Sequence, residues 1–290
     1  MTRVRAEVLS TRKLGGYHSV TLVAPEIAEK ARPGQFLAVK MPEGRDFLLR
    51  RHFAIHQASR RGGWAGTLEF VVDPQGPGSE WLSSVKAHEF LEVIGPLGTA
   101  FSYPKRHTNC LLVAEGHGAA SLYFLAQELS ARHKRVDMVV GAQTWEQVFK
   151  PIEGKRLSQT ISIVTNDGTL GERGSVMDAL AEMVEATGTE VLYAAAPSAT
   201  LAKIAGFCKE RGIPSQVAVE ERMGCGLGLC QTCVVPVARK DGSGYDHLRS
   251  CIDGPVFNPA RVLWDRWLSE APTMLPTPPE GLPVVRSWPG

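Results

Sequence analysis

Cys225, Cys230, Cys233 and Cys251 are the residues best equipped to do chemistry in this chain. Three of them fall within Glu221-Arg-Met-Gly-Cys-Gly-Leu-Gly-Leu-Cys-Gln-Thr-Cys233, and the fourth follows after a gap. The spacing C-x4-C-x2-C…C is a ligand pattern of [2Fe–2S] clusters. Thiolates that converge on one small cluster need a loop that wraps around it with its N–H groups turned inward. Gly224, Gly226 and Gly228 supply the backbone freedom for that wrap and remove Cβ atoms where the chain must approach sulfide. The fourth ligand can come from a separate strand, which suits the distance to Cys251.

Other uses of cysteine compete with this one. Structural zinc prefers paired C-x2-C knuckles or histidine partners; here a single C-x2-C stands beside one earlier and one later cysteine, and zinc remains the alternative. A disulfide framework needs an oxidising compartment, and Met1-Thr-Arg-Val-Arg-Ala-Glu7 has no apolar signal core. Inert buried thiols do not cluster among glycines. The two remaining cysteines, Cys110 and Cys208, lie in apolar or helical surroundings and are expected to be small core residues.

The chain has 290 residues, 32 basic against 30 acidic, and a net charge of +2. That length predicts two or three domains with ample core. Basic residues are not gathered into one face or stretch, so no nucleic-acid surface is expected. No apolar run reaches membrane-spanning length. The expectation is a cytoplasmic protein with reduced thiols. No Ser-His-Asp set or carboxylate pair stands out, so hydrolytic chemistry has no support.

Elements must hold those cysteines, and the chain divides into regions of different pattern. Short apolar or alternating runs fill the first hundred residues: Val20–Val23, Gln35–Lys40, His52–His56, Thr67–Val72 and Phe90–Ile94. Turn signals at Arg32-Pro-Gly34, Pro42-Glu-Gly44, Gly62-Gly63 and Gly95-Pro-Leu-Gly98 separate them, a spacing that predicts a small β-barrel. Beyond Pro104, candidate strands at Cys110–Ala114, Val136–Gly141, Ile161–Val164 and Val191–Ala195 alternate with helical stretches at Ala119–Arg132, Gly174–Glu185 and Ser198–Gly212. That alternation predicts a parallel α/β domain with ligands at the strand C-termini. One further helix is expected over Pro259–Leu268, with Trp264 and Trp267 as core or interface residues, before a Pro-rich tail from Pro272 to Gly290 that is extended or mobile. The expected units are residues 1–104 (barrel), 105–214 (α/β), 215–258 (cysteine domain) and 259–290 (helix and tail).

Pro33-Gly-Gln-Phe36 followed by Leu49-Arg-Arg-His-Phe-Ala-Ile55 resembles the flavin-binding strand of the ferredoxin–NADP reductase superfamily, whose motif is Arg-x-aromatic-Ser/Thr. Here the motif reads Arg51-His52-Phe53-Ala54. The resemblance implies that Arg51 pairs with the FAD pyrophosphate, for which a guanidinium fork is suited, and that His52 packs near the flavin. Gly76-Pro77-Gly78-Ser79 resembles the turn that offers N–H groups to the same pyrophosphate, with Ser79 opening a helix. Outside this context Arg51 would be a surface arginine and the two glycines only a turn.

The C-terminal third narrows the resemblance. Glu220-Glu-Arg-Met-Gly-Cys-Gly226, the C-x2-C followed by Val-Val-Pro-Val237, and Cys251-Ile-Asp-Gly-Pro-Val-Phe257 resemble the electron transfer subunit of NAD-linked dihydroorotate dehydrogenase B, over roughly residues 3 to 265. The resemblance implies a flavin-binding barrel, a nucleotide-binding-like α/β domain and a C-terminal [2Fe–2S] domain. It also implies a catalytic FMN subunit as partner, in an assembly with two copies of each. Related subunits serve sulfide dehydrogenase and electron-bifurcating transhydrogenase, and a non-catalytic assembly subunit is a third possibility.

Departures from the family gather where a nicotinamide would bind. A Gly-Gly-Gly-x-Gly-x-x-Pro turn is replaced by Ala114-Glu-Gly-His-Gly-Ala-Ala-Ser121. Glu115 places a carboxylate where phosphate should approach. Gly116 and Gly118 fit two uses, a turn from strand to helix or nucleotide binding, and a local pair with Glu115 is the plain reading of His117. The usual Cys-Gly-Pro reads Ala195-Ala-Pro197, and Asp-Asp-Gly-Ser reads Asn166-Asp-Gly-Thr169. Ala54 lacks the usual hydroxyl beside the flavin. NAD(H) is therefore a doubtful cofactor, whereas FAD and the cluster are expected.

Overall fold

The structure, a computed structural model, describes residues 1–42 and 47–270. Part of the expected turn at Pro42–Gly44 and the whole Pro272–Gly290 tail lie outside those residues.

Six strands close a barrel: β1 (Thr2–Leu14), β2 (Tyr17–Val23), β3 (Phe36–Val39), β4 (Arg51–Ser59), β5 (Thr67–Val72) and β6 (Phe90–Leu97), in the order β1-β2-β5-β4-β3-β6. Helix α1 (Pro25–Ala28) follows β2, and α2 (Pro77–Ser84) joins β5 to β6. Sequence patterning does not single out β1, the longest strand. Its Arg3, Arg5, Arg12 and Lys13 dilute the apolar signal, yet Ala6 and Val8 reach the core beside Val20, Leu22, Leu37, Ile55 and Phe70. β1 closes the barrel by pairing with β2 on one side and β6 on the other.

The α/β region contains β7 (Asn109–Glu115), α3 (Ala119–Ser130), β8 (Arg135–Ala142), α4 (Pro151–Leu157), β9 (Ile161–Thr165), β10 (Glu172–Arg173), α5 (Val176–Thr187), β11 (Val191–Ala195), α6 (Ser198–Arg211) and β12 (Ser215–Ala218). Central β7 and β8 are buried along most of their length, which is why they read as apolar runs without alternation. Cys110 and Cys208 are buried in these layers. Burial pushes the Cys110 thiol up to about 12, as an inert core thiol should be. Helix α5 starts two residues later than expected. Gly174 and Ser175 precede it, and the Ser175 N–H donates to Asp178 Oδ2 at 2.7 Å in a reciprocal cap.

The cysteine segment adds a hairpin, β13 (Val234–Ala238) with β14 (Tyr245–Arg249), and then β15 (Val256–Phe257). β15 lies antiparallel to β12 and completes a seven-stranded sheet ordered β10-β9-β8-β7-β11-β12-β15. The same segment grips the barrel, where Thr99 N donates to Gly254 O at 2.5 Å. The expected helix over Pro259–Leu268 is instead a 3-10 turn at Pro259–Arg261 followed by α7 (Trp264–Glu270). Val262 bridges to Val237, and Leu263 N donates to Pro236 O at 2.9 Å, so the chain must extend there before it coils again. Trp267 is buried, its indole N–H donating to Glu221 at 2.9 Å. Among the described residues no helix is long and apolar enough to cross a membrane.

Candidate functional site

The loop carrying Cys225 and Cys230 is wrapped with its amides turned toward sulfur. Leu227 N and Leu229 N each donate to Cys225 Sγ at 3.3 Å, and Cys225 N donates to Cys230 Sγ at 3.3 Å. Positive φ at Gly226 (69°) and Gly228 (81°) makes this path possible. A Cβ on Gly228 would also stand 2.7 Å from the Ile252 side chain. Thr232 Oγ1 lies 3.1 Å from Cys230 Sγ, and its hydroxyl together with the backbone amides draws that thiol down to about 6. Cys233 and Cys251 are buried, packed with Phe36, Ala38 and Leu97 of the barrel. Burial, with Cys233 alongside, raises the Cys251 thiol to about 12.

Arg249 braces these two parts. Its Nη1 donates to Gly228 O at 3.2 Å, while its backbone N–H donates to Asp253 Oδ2 at 2.9 Å. Sequence reasoning missed Arg249 and Thr232, since an Arg or Thr beside cysteines carries no spacing signal. Among the described residues no three histidine, cysteine or acidic side chains, the four cysteines included, gather closely enough for a single metal ion. Donors aimed at sulfur, and thiols split between an amide-lined loop and an apolar floor, suit an anionic iron–sulfur cluster.

Beside this loop lies a cavity of about 350 Å³, walled by His52, Phe53 and Ala54 of β4, by His117 and Gly118 opposite, and by Met223 of the cysteine segment. Arg51 leaves the same strand toward the start of α2: a Cβ on Gly78 would be 3.0 Å from Arg51 Nε. Pro77 is the first helical residue. Ser79 is the third rather than the opening one, and its hydroxyl accepts from Gly76 N at 3.2 Å. The chain thus brings a guanidinium to a helix N-terminus beside a largely apolar cleft, the arrangement a flavin diphosphate requires. Phe53 packs on Phe70 with ring centroids 5.0 Å apart. Burial holds the His52 imidazole below its usual pKa, against a smaller upward pull from the Cys225 backbone.

The strand ends on the far side of the cleft are already occupied. Thr200 Oγ1 on α6 donates to Glu115 Oε2 at 2.7 Å. His117 pairs with Glu220 at 2.9 Å rather than with Glu115, and this bond raises the imidazole pKa. Gly118 has no room for a Cβ, which would strike the Ala195 carbonyl. In the next turns Asn166 Nδ2 donates to Gln143 Oε1 at 2.8 Å, and Trp145 N to Thr169 Oγ1 at 2.9 Å. Thr200 and Glu220 could not be found from sequence, because each meets its partner only through the sheet order.

The family model described as the iron–sulfur cluster binding domain of dihydroorotate dehydrogenase B matches residues 220–263. The dihydroorotate dehydrogenase B (NAD(+)) electron transfer subunit of Desulforamulus reducens is 35% identical over 242 residues, covering 83% of this chain and 90% of that protein. The subunit of the same name from Bacillus cereus (strain Q1) is 33% identical with the same coverage. Among solved structures, a chain of the NADH-dependent reduced ferredoxin–NADP oxidoreductase superposes with a TM-score of 0.79 at 26% identity, covering 92% of each chain. A ferredoxin NADP+ reductase from Neisseria gonorrhoeae superposes with a TM-score of 0.59 at 15% identity, over 73% of this chain and 92% of that one, which shows a shared fold.

Proposed function

Since the chain belongs to the family of dihydroorotate dehydrogenase B electron transfer subunits, we propose that it relays electrons between a bound FAD, a [2Fe–2S] cluster and the flavin of a catalytic partner that oxidises dihydroorotate to orotate in pyrimidine synthesis, in a cytoplasm that keeps thiols reduced. One observation carries this reading: the flavin-sized cleft and the cysteine loop share a wall, with Met223 lining the cleft two residues before Cys225. When bound, a flavin exchanges two electrons together and passes them singly to a one-electron centre.

The protein residues have separable tasks in this scheme. Arg51 and the Gly76–Ser79 turn hold the pyrophosphate. Phe53 and Ala54 present an apolar face to the ring system. Cys225, Cys230, Cys233 and Cys251 ligate the cluster, and the amides of Leu227 and Leu229 stabilise its negative charge. The working units are residues 1–104 for FAD, 105–214 for the nucleotide-binding-like region and 215–258 for the cluster, followed by the 259–290 helix and tail. The deciding experiment adds dihydroorotate anaerobically to the chain co-purified with its partner. FAD and cluster absorbance should both bleach, and only with the partner present. A complex that holds no iron and no FAD would sink the proposal.

Two substitutions test the parts separately. Arg51→Ala is expected to weaken FAD binding by about 3 kcal/mol, roughly a hundredfold, with iron content unchanged, as read by flavin release on dilution. Leu229 on the cysteine loop and Ile252 beside Cys251 are 81% and 44% exposed, an apolar rim around the cluster suited to the partner. Leu229→Asp should weaken partner binding by roughly 2 kcal/mol or more, read as the Kd of the purified subunits, with both cofactors retained.

A second acceptor is favoured by one observation, the Glu115–Thr200 bond at the first βα turn. It supports a route in which electrons leave to or arrive from a carrier other than a nicotinamide, as in the related sulfide dehydrogenase or transhydrogenase type of complex. The intact set of four cysteines argues against a merely structural subunit.

A further inference from the structure

His52 is placed between the two proposed centres. It lines the cleft, and across from it stands Gly226, the residue after Cys225. A Cβ on Gly226 would overlap the imidazole at Nε2 and Cδ2, so ring and cluster loop are in close apposition. Phe36 meets the ring edge-on at 5.8 Å and 73°, and Phe36 itself packs in the same apolar group as Cys233 and Cys251. β3 and β4 hold this arrangement, with His52 opposite Ala38 in the register. Among the described residues no well-aligned hydrogen bond reaches the buried imidazole Nε2, the Cys225 backbone close by exerting a lesser pull than burial, although buried polar atoms are rarely left so. Nothing in barrel packing calls for a polar ring there; an apolar residue of the same shape would fill the space without an orphaned nitrogen.

We propose that His52 is a positioning residue for electron transfer: its Nε2–H donates to sulfur on the cluster side of Gly226 and its ring holds the cluster loop to the cleft wall. Hydrogen bonds to cluster sulfurs stabilise the reduced, more negative state, and so raise the reduction potential. The inference rests on the cluster and flavin assignments above. It adds that one side chain, on the flavin-binding strand, sets the potential of the neighbouring cluster.

The test compares His52→Phe and His52→Gln with the unaltered chain, each as the full chain co-purified with its partner, by iron, sulfide and FAD content and by potentiometric titration followed by electron paramagnetic resonance. His52→Phe keeps a planar ring without a donor. Its cluster potential should fall by about 59 mV, a tenfold loss in the flavin-to-cluster equilibrium, with FAD potential and iron content unchanged. His52→Gln restores an N–H and should recover most of that shift. An unchanged cluster potential in His52→Phe, or a shift confined to FAD, overturns the inference. If His52→Phe fails to hold the cluster, His52→Gln decides: a potential near that of the unaltered chain supports the hydrogen bond, and a fall of the full size refutes it. Absence of iron from the unaltered chain would instead count against the cluster itself.

Discussion

Cys233→Ser is expected to strip the iron–sulfur centre. Iron and acid-labile sulfide should fall from about two per chain to background, while FAD stays bound. Reduction of FAD by dihydroorotate through the partner should slow by more than about a hundredfold, since changes merely adjacent to metal ligands already weaken binding or activity ten- to a hundredfold. Cys233 has the strongest claim because it is buried at 1% exposure and its carbonyl accepts from Ser250 N at 2.7 Å. Cys233 and the residue before Cys251 are thereby tied together. A hydroxyl in that apolar floor cannot replace a thiolate. Cys208→Ser provides the control: that thiol is buried far along α6, and its loss should leave iron content untouched. Full retention of iron in Cys233→Ser would end the cluster proposal.

The second large effect concerns nicotinamides. Micromolar NADH or NADPH should not bleach the flavin of the unaltered chain, although dithionite reduces both centres. In open α/β sheets the dinucleotide pyrophosphate is received at the first βα turn, against a helix N-terminus. Here Glu115, half-buried and fixed by Thr200, holds that position with a charge of the same sign. At about 4 Å and an intermediate dielectric, such a repulsion is worth about 2–4 kcal/mol, roughly thirty- to a thousandfold in affinity. Glu115→Gly should accordingly tighten NADH binding by a factor in that range, read by fluorescence titration. If unaltered and substituted chains bleach equally fast with NADH, Glu115 does not guard the site.

Much of this molecule was legible in its sequence because the signals were local. The buried runs Cys110–Ala114 and Val191–Ala195 declare themselves as strands, and a four-residue gap among glycines followed by C-x2-C declares a wrapped cysteine loop. The motif around Arg51 is equally local, and the structure sets that arginine against Gly78. What was hidden depends on distance in sequence. β1 is written in charged residues whose alternation becomes meaningful only once β6 lies beside it. Glu115 meets Thr200 across eighty-five positions, and Arg249 reaches Gly228 across twenty-one. The first half of the expected Pro259 helix failed for the same reason, because Val237 reaches in to straighten Val262. Propensity has no access to such partners.

The short strand β15 lies just beyond Cys251, yet it forms the edge of the central sheet next to β12 and, through Gly254, holds on to the barrel at Thr99. During synthesis, therefore, the sheet cannot finish until Cys251 has emerged behind Cys225, Cys230 and Cys233. Completion of the sheet and completion of the four-cysteine set fall in the same short interval of synthesis. A chain cut short before Gly254 would leave the sheet edge at β12 and the barrel rim at Thr99 both unsealed.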